Sequence, residues 1–439
     1  MTRRHAQRLR VASRGWRRQS LFWLGAVAIG YVSVGFATVA DWGQHLFRDV
    51  TAISPYLALI VTPAGIALSA YIGGKFFPGA QGSGIPQAIA AGSFRDRPTL
   101  ERLLSLRIAF GKIFLTVLGL AVGASIGREG PTVQIGASIL VWLSYRTGMG
   151  RQQGLILAGG AAGVAAAFNT PLAGVVFAIE EMSRSFERSI SSLVLIAVIL
   201  AGIAAVSITG TNSYFGATTA ILHGWKDWFV VPVAALAGGV FGGVFSRAVI
   251  WSARKLPSLK GGFVGKHPIQ FAAICGLGVA LLGIASGGSS YGSGYDASKA
   301  ALDGHLAHPL IFAAAKFLSS LLSLMSGIPG GLLSPSLSIG AGLGAALSGL
   351  MPTVMPGALA VLTMVGFFSG VVQAPITGFI IVAEMTDDQA MVIPLMATAL
   401  LATVISRLIS REPVYHALAD DFRKRLETEK TASLNGSAD

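Results

Sequence analysis

Apolar residues crowd this chain from about position 20 to position 419, and charged residues interrupt them only at wide intervals. The main apolar runs are 21–40, 56–77, 114–126, 190–208, 229–250, 271–285, 310–325 and 391–409. A full bilayer crossing takes about 20 such residues. Several runs fall short of that or are cut by Gly and Pro. The pattern predicts an all-α, polytopic membrane protein with many short, tilted or broken helices. Non-helical backbone at membrane depth survives only when buried in protein or lining an aqueous cavity.

A second pattern overlies the first. The stretch from Gly127 to Ala137 reappears from Gly331 to Ala341, with Gly, Pro, Ile, Gly and Ala in register at a spacing of 204 residues. Lys112, Pro171, Gly174 and Glu180 meet Lys316, Pro375, Gly378 and Glu384 at the same spacing. Gly82, Ser83 and Gly84 recur as Gly292, Ser293 and Gly294, six residues further on. A constant spacing over such separated motifs means two repeated halves, about 20–215 and 225–420. In a membrane protein, inverted halves point to a transporter with its site at their interface.

Composition agrees with the bilayer. Of 439 residues, 53% are hydrophobic and 12% charged, about half the charged share of an average soluble protein. Close helix packing accounts for part of the 56 glycines, and Gly119, Gly123 and Gly127, spaced by four, fit that role. Seven arginines between Arg3 and Arg18 make residues 1–19 a basic tail expected on the cytoplasmic side. Arg411, Arg423, Lys424, Arg425 and Lys430 place the other end there too. Both ends on one side requires an even number of crossings. A signal-cleavage reading of 37–40 fails because the apolar run before it is too long. The net charge of +13 is then topology and lipid contact, not nucleic-acid binding. With 24 residues after Tyr415, no soluble domain is expected there, and 421–439 reads as a partly disordered tail. Lone Cys275 excludes a disulfide framework, and the seven scattered histidines, His416 among them, read as loop residues without a metal.

Three loop-to-helix transitions carry the candidate chemistry: 82–86, 127–131 and 330–335. In each, Gly frees the backbone and Pro follows where a first helical turn tolerates it. They put helix N-termini, each with unpaired N–H groups and about half a positive charge, at membrane depth. Such ends bind anions, and partial charges hold an ion loosely enough to release it. Ser83 adds a hydroxyl donor.

These residues resemble those of the CLC family of chloride channels and chloride/proton antiporters. The resemblance runs from about Leu21 to Ala419 and rests on the motifs at 82–86, 127–131, 165–182, 330–335 and 412–418. It implies a homodimer with one pore per subunit and inverted halves enclosing the anion sites. It places central chloride ligands at the Ser83 hydroxyl, with Gly84 and Ile85 beside it, the Tyr415 hydroxyl and the N–H groups of Leu332 and Leu333. Amides around Arg128, Glu129 and Gly130 would form the outer site. The family usually has Phe where Leu333 stands, a departure that bears on pore width and gating.

Glu129 is a carboxylate at a helix N-terminus suited to anions, hence a tethered anion. Ionised it occupies the site; protonated it releases it, so proton and anion occupancy exclude each other. The resemblance places the internal proton-transfer glutamate at Glu181, with Glu180 beside it lining the water path. The second half keeps Glu384 at the position of Glu180 but has Met385 at that of Glu181. An acid at 181 favours antiport over a channel.

The expectation is a chloride/proton antiporter without cofactor, in a bacterial inner membrane with both termini inside. A passive chloride channel on the same scaffold lacks proton movement. An exchanger for another anion, such as nitrate, would differ at Ser83, where nitrate-preferring relatives tend to carry Pro. From another class, a membrane-embedded hydrolase is raised by residues 123–127, which fit a nucleophile elbow around Ser125 but lack its strand-to-helix context. Lys112 and Lys316 interrupt apolar runs and either snorkel or lend a positive field to entering anions.

Overall fold

The computed structural model describes residues 3–149, 152–183, 192–210, 213–218, 220–222, 224, 226–258 and 263–435. Among them every regular element is a helix. His223, residues 190–191 of one apolar run and the end of the tail, 436–439, lie outside the described residues.

The sequence repeat is a structural repeat. Helices Leu106–Ala121, Glu129–Thr147, Gln152–Phe168 and Pro171–Phe177 are followed, at the spacing of the motifs, by Pro309–Met325, Leu333–Ser348, Pro356–Val372 and Pro375–Thr386. Ala58–Phe76 and Ile85–Ala91 have their counterparts in Pro268–Ala285 and Tyr295–Leu302. The halves pack on each other through Ala58–Phe76 against Pro268–Ala285 and through Pro171–Phe177 against Pro375–Thr386.

Seven helices among the described residues are long and apolar enough to cross a membrane: Trp16–Ile53, Pro55–Phe76, Arg97–Ala121, Ser192–Thr209, Asp227–Leu256, Pro268–Ala285 and Val392–Ile409. Gln153–Phe168, Pro309–Met325, Pro356–Val372 and Pro375–Thr386 are shorter apolar helices. The centre of the protein is Pro356–Val372, buried at every residue from Ala358 to Val372. Small residues let the helices around it approach. A side chain on Gly136 would collide with the backbone of Gly159, and one on Gly340 with that of Thr363 and Met364, so the same contact is made once in each half.

Several expectations need revision. The basic tail is helical and continuous with the first apolar run, since one helix runs from Arg3 to Ile53. The tail after residue 420 is helical as far as Asn435, within Val414–Asn435. Of the three spaced glycines only Gly119 lies in a helix. Gly123 is a left-handed turn residue beneath Phe47, and Gly127 belongs to the site.

The C-terminal helix is strapped to both halves at one face. Arg254 pairs with Glu412 at 2.6 Å and Asp421 at 3.1 Å, Arg102 with Glu429 at 3.1 Å, and Lys430 with Asp96 at 3.3 Å. The Arg254 guanidinium holds the Glu412 carboxyl below its ordinary range. These pairs are exposed and contribute about 0–1 kcal/mol each, so they locate the helix more than they stabilise it.

Candidate functional site

Three glycine loops meet where the halves meet. Gly127 N–H donates to the Gly331 carbonyl at 2.9 Å and Gly331 N–H donates back at 2.6 Å. Gly330 N–H joins the third loop by donating to the Gly82 carbonyl at 3.3 Å. A Cβ on Gly130 would stand 2.6 Å from Ser83 Oγ, and one on Gly331 2.8 Å from the Gly130 nitrogen, so the approach requires glycine. The buried lysines hold these loops. Lys112 Nζ donates to the Gly82 carbonyl at 2.8 Å, and Lys316 Nζ to the matching Gly292 carbonyl at 2.6 Å. Both ammoniums are fully buried, so neither snorkels.

From this junction helices start at Ile85, Glu129 and Leu333, each with first N–H groups that lack an intrahelical partner. Ile85, Gly130, Leu332 and Leu333 are buried there. Gly84 departs from expectation: its N–H already donates to Gln87 Oε1 at 2.9 Å and is lost to an anion. The Ser83 and Tyr415 hydroxyls are buried within interaction range of one another, and among the described residues neither is engaged by any other partner. Tyr415 also lies within electrostatic range of both Glu129 and Glu181.

Glu129 is completely buried, and neither carboxylate oxygen has a hydrogen-bond donor among the described residues. Its Oε2 lies against Gly127, where a Cβ would come within 2.6 Å of it. Arg128 stays 4.0 Å from the carboxylate because its guanidinium is committed elsewhere: to Asp41 at 2.5 Å and to the Ala37 carbonyl at 2.9 Å. A polar buried group without a partner is costly, and here the group is one whose charge a proton can cancel.

Two cavities approach from opposite ends. One, of about 1110 Å³, is lined by Asp41, Gln44, Arg48, Arg128 and Tyr214. The other, of about 500 Å³, is lined by Ser93, Gln153, Met182, His416 and Arg423. Arg48, which lines the first cavity, and Arg18 lie on one helix, 30 positions or about 45 Å apart at 1.5 Å per residue, and Arg18 donates to the Thr147 carbonyl. Gln44 also caps the second half's copy of the Ser83 turn, accepting from the Ser293 N–H at 2.8 Å.

The adjacent acids 180 and 181 have separate occupations. They lie in a single π-helical turn, Ala178–Ser183, an irregularity often found at functional positions. Glu181 is buried, 3.7 Å from His416 Nε2. Glu180 is bound across the junction, accepting from the N–H groups of Ile376 and Thr377 at 3.1 and 2.6 Å. Glu384 returns the contact, accepting from Leu172 and Ala173 at 3.1 and 2.7 Å. Each half thus caps a helix of the other with a carboxylate where the dipole favours one. The Glu180 carboxylate, expected beside the water path, is thus also engaged in a structural contact. Glu180→Gln leaves one acceptor for two N–H groups and is expected to cost about 2 kcal/mol, the lower part of the range for charge-assisted bonds because the contact is half-exposed. A lowered thermal midpoint in detergent with an unchanged ratio of transported ions checks it; the reverse pattern would return Glu180 to the transport path.

Ser125 is hydrogen-bonded to other serines. Its hydroxyl is shared with that of Ser320 at 2.9 Å, and its N–H donates to the Ser323 hydroxyl at 3.1 Å. Among the described residues, no group of three His, Cys, Asp or Glu is placed to hold a metal ion. Sequence reasoning missed the Asp41–Arg128 pair, the Gln44 cap and the helical position of His416. Of these only His416, adjacent to Tyr415, had a signal.

Inverted halves that aim interrupted helices at one buried point define a membrane transport protein. The chain belongs to the voltage gated chloride channel family, whose sequence model matches residues 65–407. It is 29% identical over 428 residues to the H(+)/Cl(-) exchange transporter ClcA of Citrobacter koseri, covering 93% of this chain and 89% of that one. Its fold is similar to that of a slow cyanobacterial Cl-/H+ antiporter, with a TM-score of 0.81 at 24% identity over 93% of this chain and 98% of the other. It is also similar to a CLC-type fluoride/proton antiporter, with a TM-score of 0.74 at 22% identity over 92% and 97%.

Proposed function

We propose that this protein exchanges chloride for protons across a membrane. The observation that carries the reading is the pair of buried carboxylates, Glu129 and Glu181, one near each cavity, with Tyr415 in range of both. Chloride is held by the Ser83 and Tyr415 hydroxyls and by the helix-start N–H groups of Ile85, Leu332 and Leu333. The outer position belongs to the amides around Arg128, Glu129 and Gly130, and the Glu129 carboxylate competes with the anion for it. Protonation removes that competition, so the two ions use the site in turn. Glu181 passes protons between the second cavity and the centre.

Chloride moving one way and a proton the other displace charge in the same sense. The exchange is electrogenic, responding with about 2.3 kcal/mol per elementary charge per 100 mV. The contacts Arg18–Thr147, Gln153–Gly92 and Lys430–Asp96 support a reading in which both ends of the described chain share one face, and the arginine-rich N-terminal sequence assigns that face to the cytoplasm, with a bacterial inner membrane as the proposed location. The active form is a homodimer with one pore per subunit.

The test is a chloride gradient across liposomes, with external pH and chloride recorded together. Chloride leaving the vesicle should drive protons in. Chloride flux without proton movement would leave a passive chloride channel.

A further inference from the structure

His416 is used by nothing described so far except its contact with Glu181. It stands in the first turn of Val414–Asn435, one residue past Tyr415. Its Nε2 lies 2.7 Å from the Glu181 backbone carbonyl and 3.7 Å from Glu181 Oε1. A carbonyl oxygen only accepts, so Nε2 carries the hydrogen. The ring is about a fifth exposed and lines the second cavity, whereas the Glu181 side chain is 2% exposed. The imidazole is therefore placed between cavity water and a carboxylate that water scarcely reaches.

We infer that His416 is the group through which protons pass between the second cavity and Glu181. This rests on the exchange reading above. Inward, a hydronium in the cavity gives a proton to the ring, breaking one of its O–H bonds and forming an N–H bond. The imidazolium then releases its Nε2 hydrogen to Glu181 Oε1, which the 1 Å difference between carbonyl and carboxylate oxygen requires the side chain to approach. The ring is left neutral with its hydrogen on Nδ1, and exchange through cavity water restores the Nε2 donor. An imidazole titrates near pH 6.5 and can do this at neutral pH. The charged groups around it in the described structure are Glu181 from the π-helical turn, and Asp420 and Arg423, paired with each other at 3.1 Å, from its own helix. The Ile85–Ala91 and Gln152–Phe168 helices bring uncharged side chains to the cavity.

The experiment measures proton and chloride flux in liposomes for wild type, Glu181→Gln, His416→Gln and His416→Glu between pH 4.5 and 8. His416→Gln keeps a donor of similar reach but no exchangeable site, and should lower proton flux by about a hundredfold while chloride continues to move. The pH dependence that the ring confers should vanish from the proton-flux profile. His416→Glu should restore proton flux with that dependence displaced about two units to acid, a shift that a purely structural role would not produce. An unchanged profile in His416→Gln overturns the inference. So does an equal loss of both fluxes in the two His416 variants. Should wild type exchange and Glu181→Gln stop protons while His416→Gln pumps normally, this inference alone fails; should wild type move no protons, the exchange reading itself fails.

Discussion

Glu129→Gln should keep chloride moving while proton transport stops. The amide has the size of the carboxyl and no charge, so to an anion it mimics the protonated gate, while it lacks the carboxyl proton that the gate must pass on. Glu129 makes this substitution informative because its oxygens have no donors among the described residues. Little bonding is lost with the charge, and a folding defect is not expected. A positioned proton-transfer group contributes roughly 10²–10⁴, so chloride-driven proton flux should fall by at least about a hundredfold. The pH dependence of chloride flux should flatten at the same time, since the competing anion is gone at every pH. The measurement is chloride efflux and pH change in the same liposomes. Proton pumping at the wild-type rate would remove Glu129 from the proton path.

Glu181→Gln should separate the two ions from the other side. A proton from the second cavity must cross a largely apolar stretch to reach Glu129, and an intramembrane carboxylate is the group that can carry it. Without that carboxylate proton uptake should fall by a similar factor, about a hundredfold or more. Chloride movement should remain, because the proposed chloride ligands are Ser83, Tyr415 and the helix-start amides, not Glu181. Retention of proton flux would mean that the proton enters elsewhere. Loss of chloride flux along with it would put residue 181 on the anion path.

Much of this was legible in the sequence because the repeat kept both its motifs and their spacing. The three glycine loops are rare local patterns, and each begins a helix where its Gly and Pro place it. Less legible was the centre. Pro356–Val372 is buried all round, so it shows no amphipathic period and was not among the apolar runs read as crossings. The tail escaped for the opposite reason: Val414–Asn435 is highly charged and is held by pairs with residues far back in the chain, such as Arg254 and Asp96. Long-range polar contacts leave no periodic trace. Gln44 at Ser293, Asp41 at Arg128 and His416 at Glu181 are of that kind. The structural contact of Glu180 was not legible either, because its partners are backbone groups that carry no sequence identity.

The crossed carboxylates have a consequence for how the two halves are related. Glu180 reaching Ile376 and Thr377 while Glu384 reaches Leu172 and Ala173 is the pattern of an isologous subunit interface, residue i on j and j on i, here inside one chain. A half-length polypeptide could satisfy the same bonds by pairing with a second copy in the opposite orientation. Such a pair would be bound by its own symmetry. An acid at the Glu181 position would occur twice and open a proton route to each face, a short circuit. Covalent fusion lifts that restriction while leaving the interface intact. On the proposed reading, Met385 leaves the second half without such a route, so the two faces differ at the one position of this pair where the duplicated halves no longer agree.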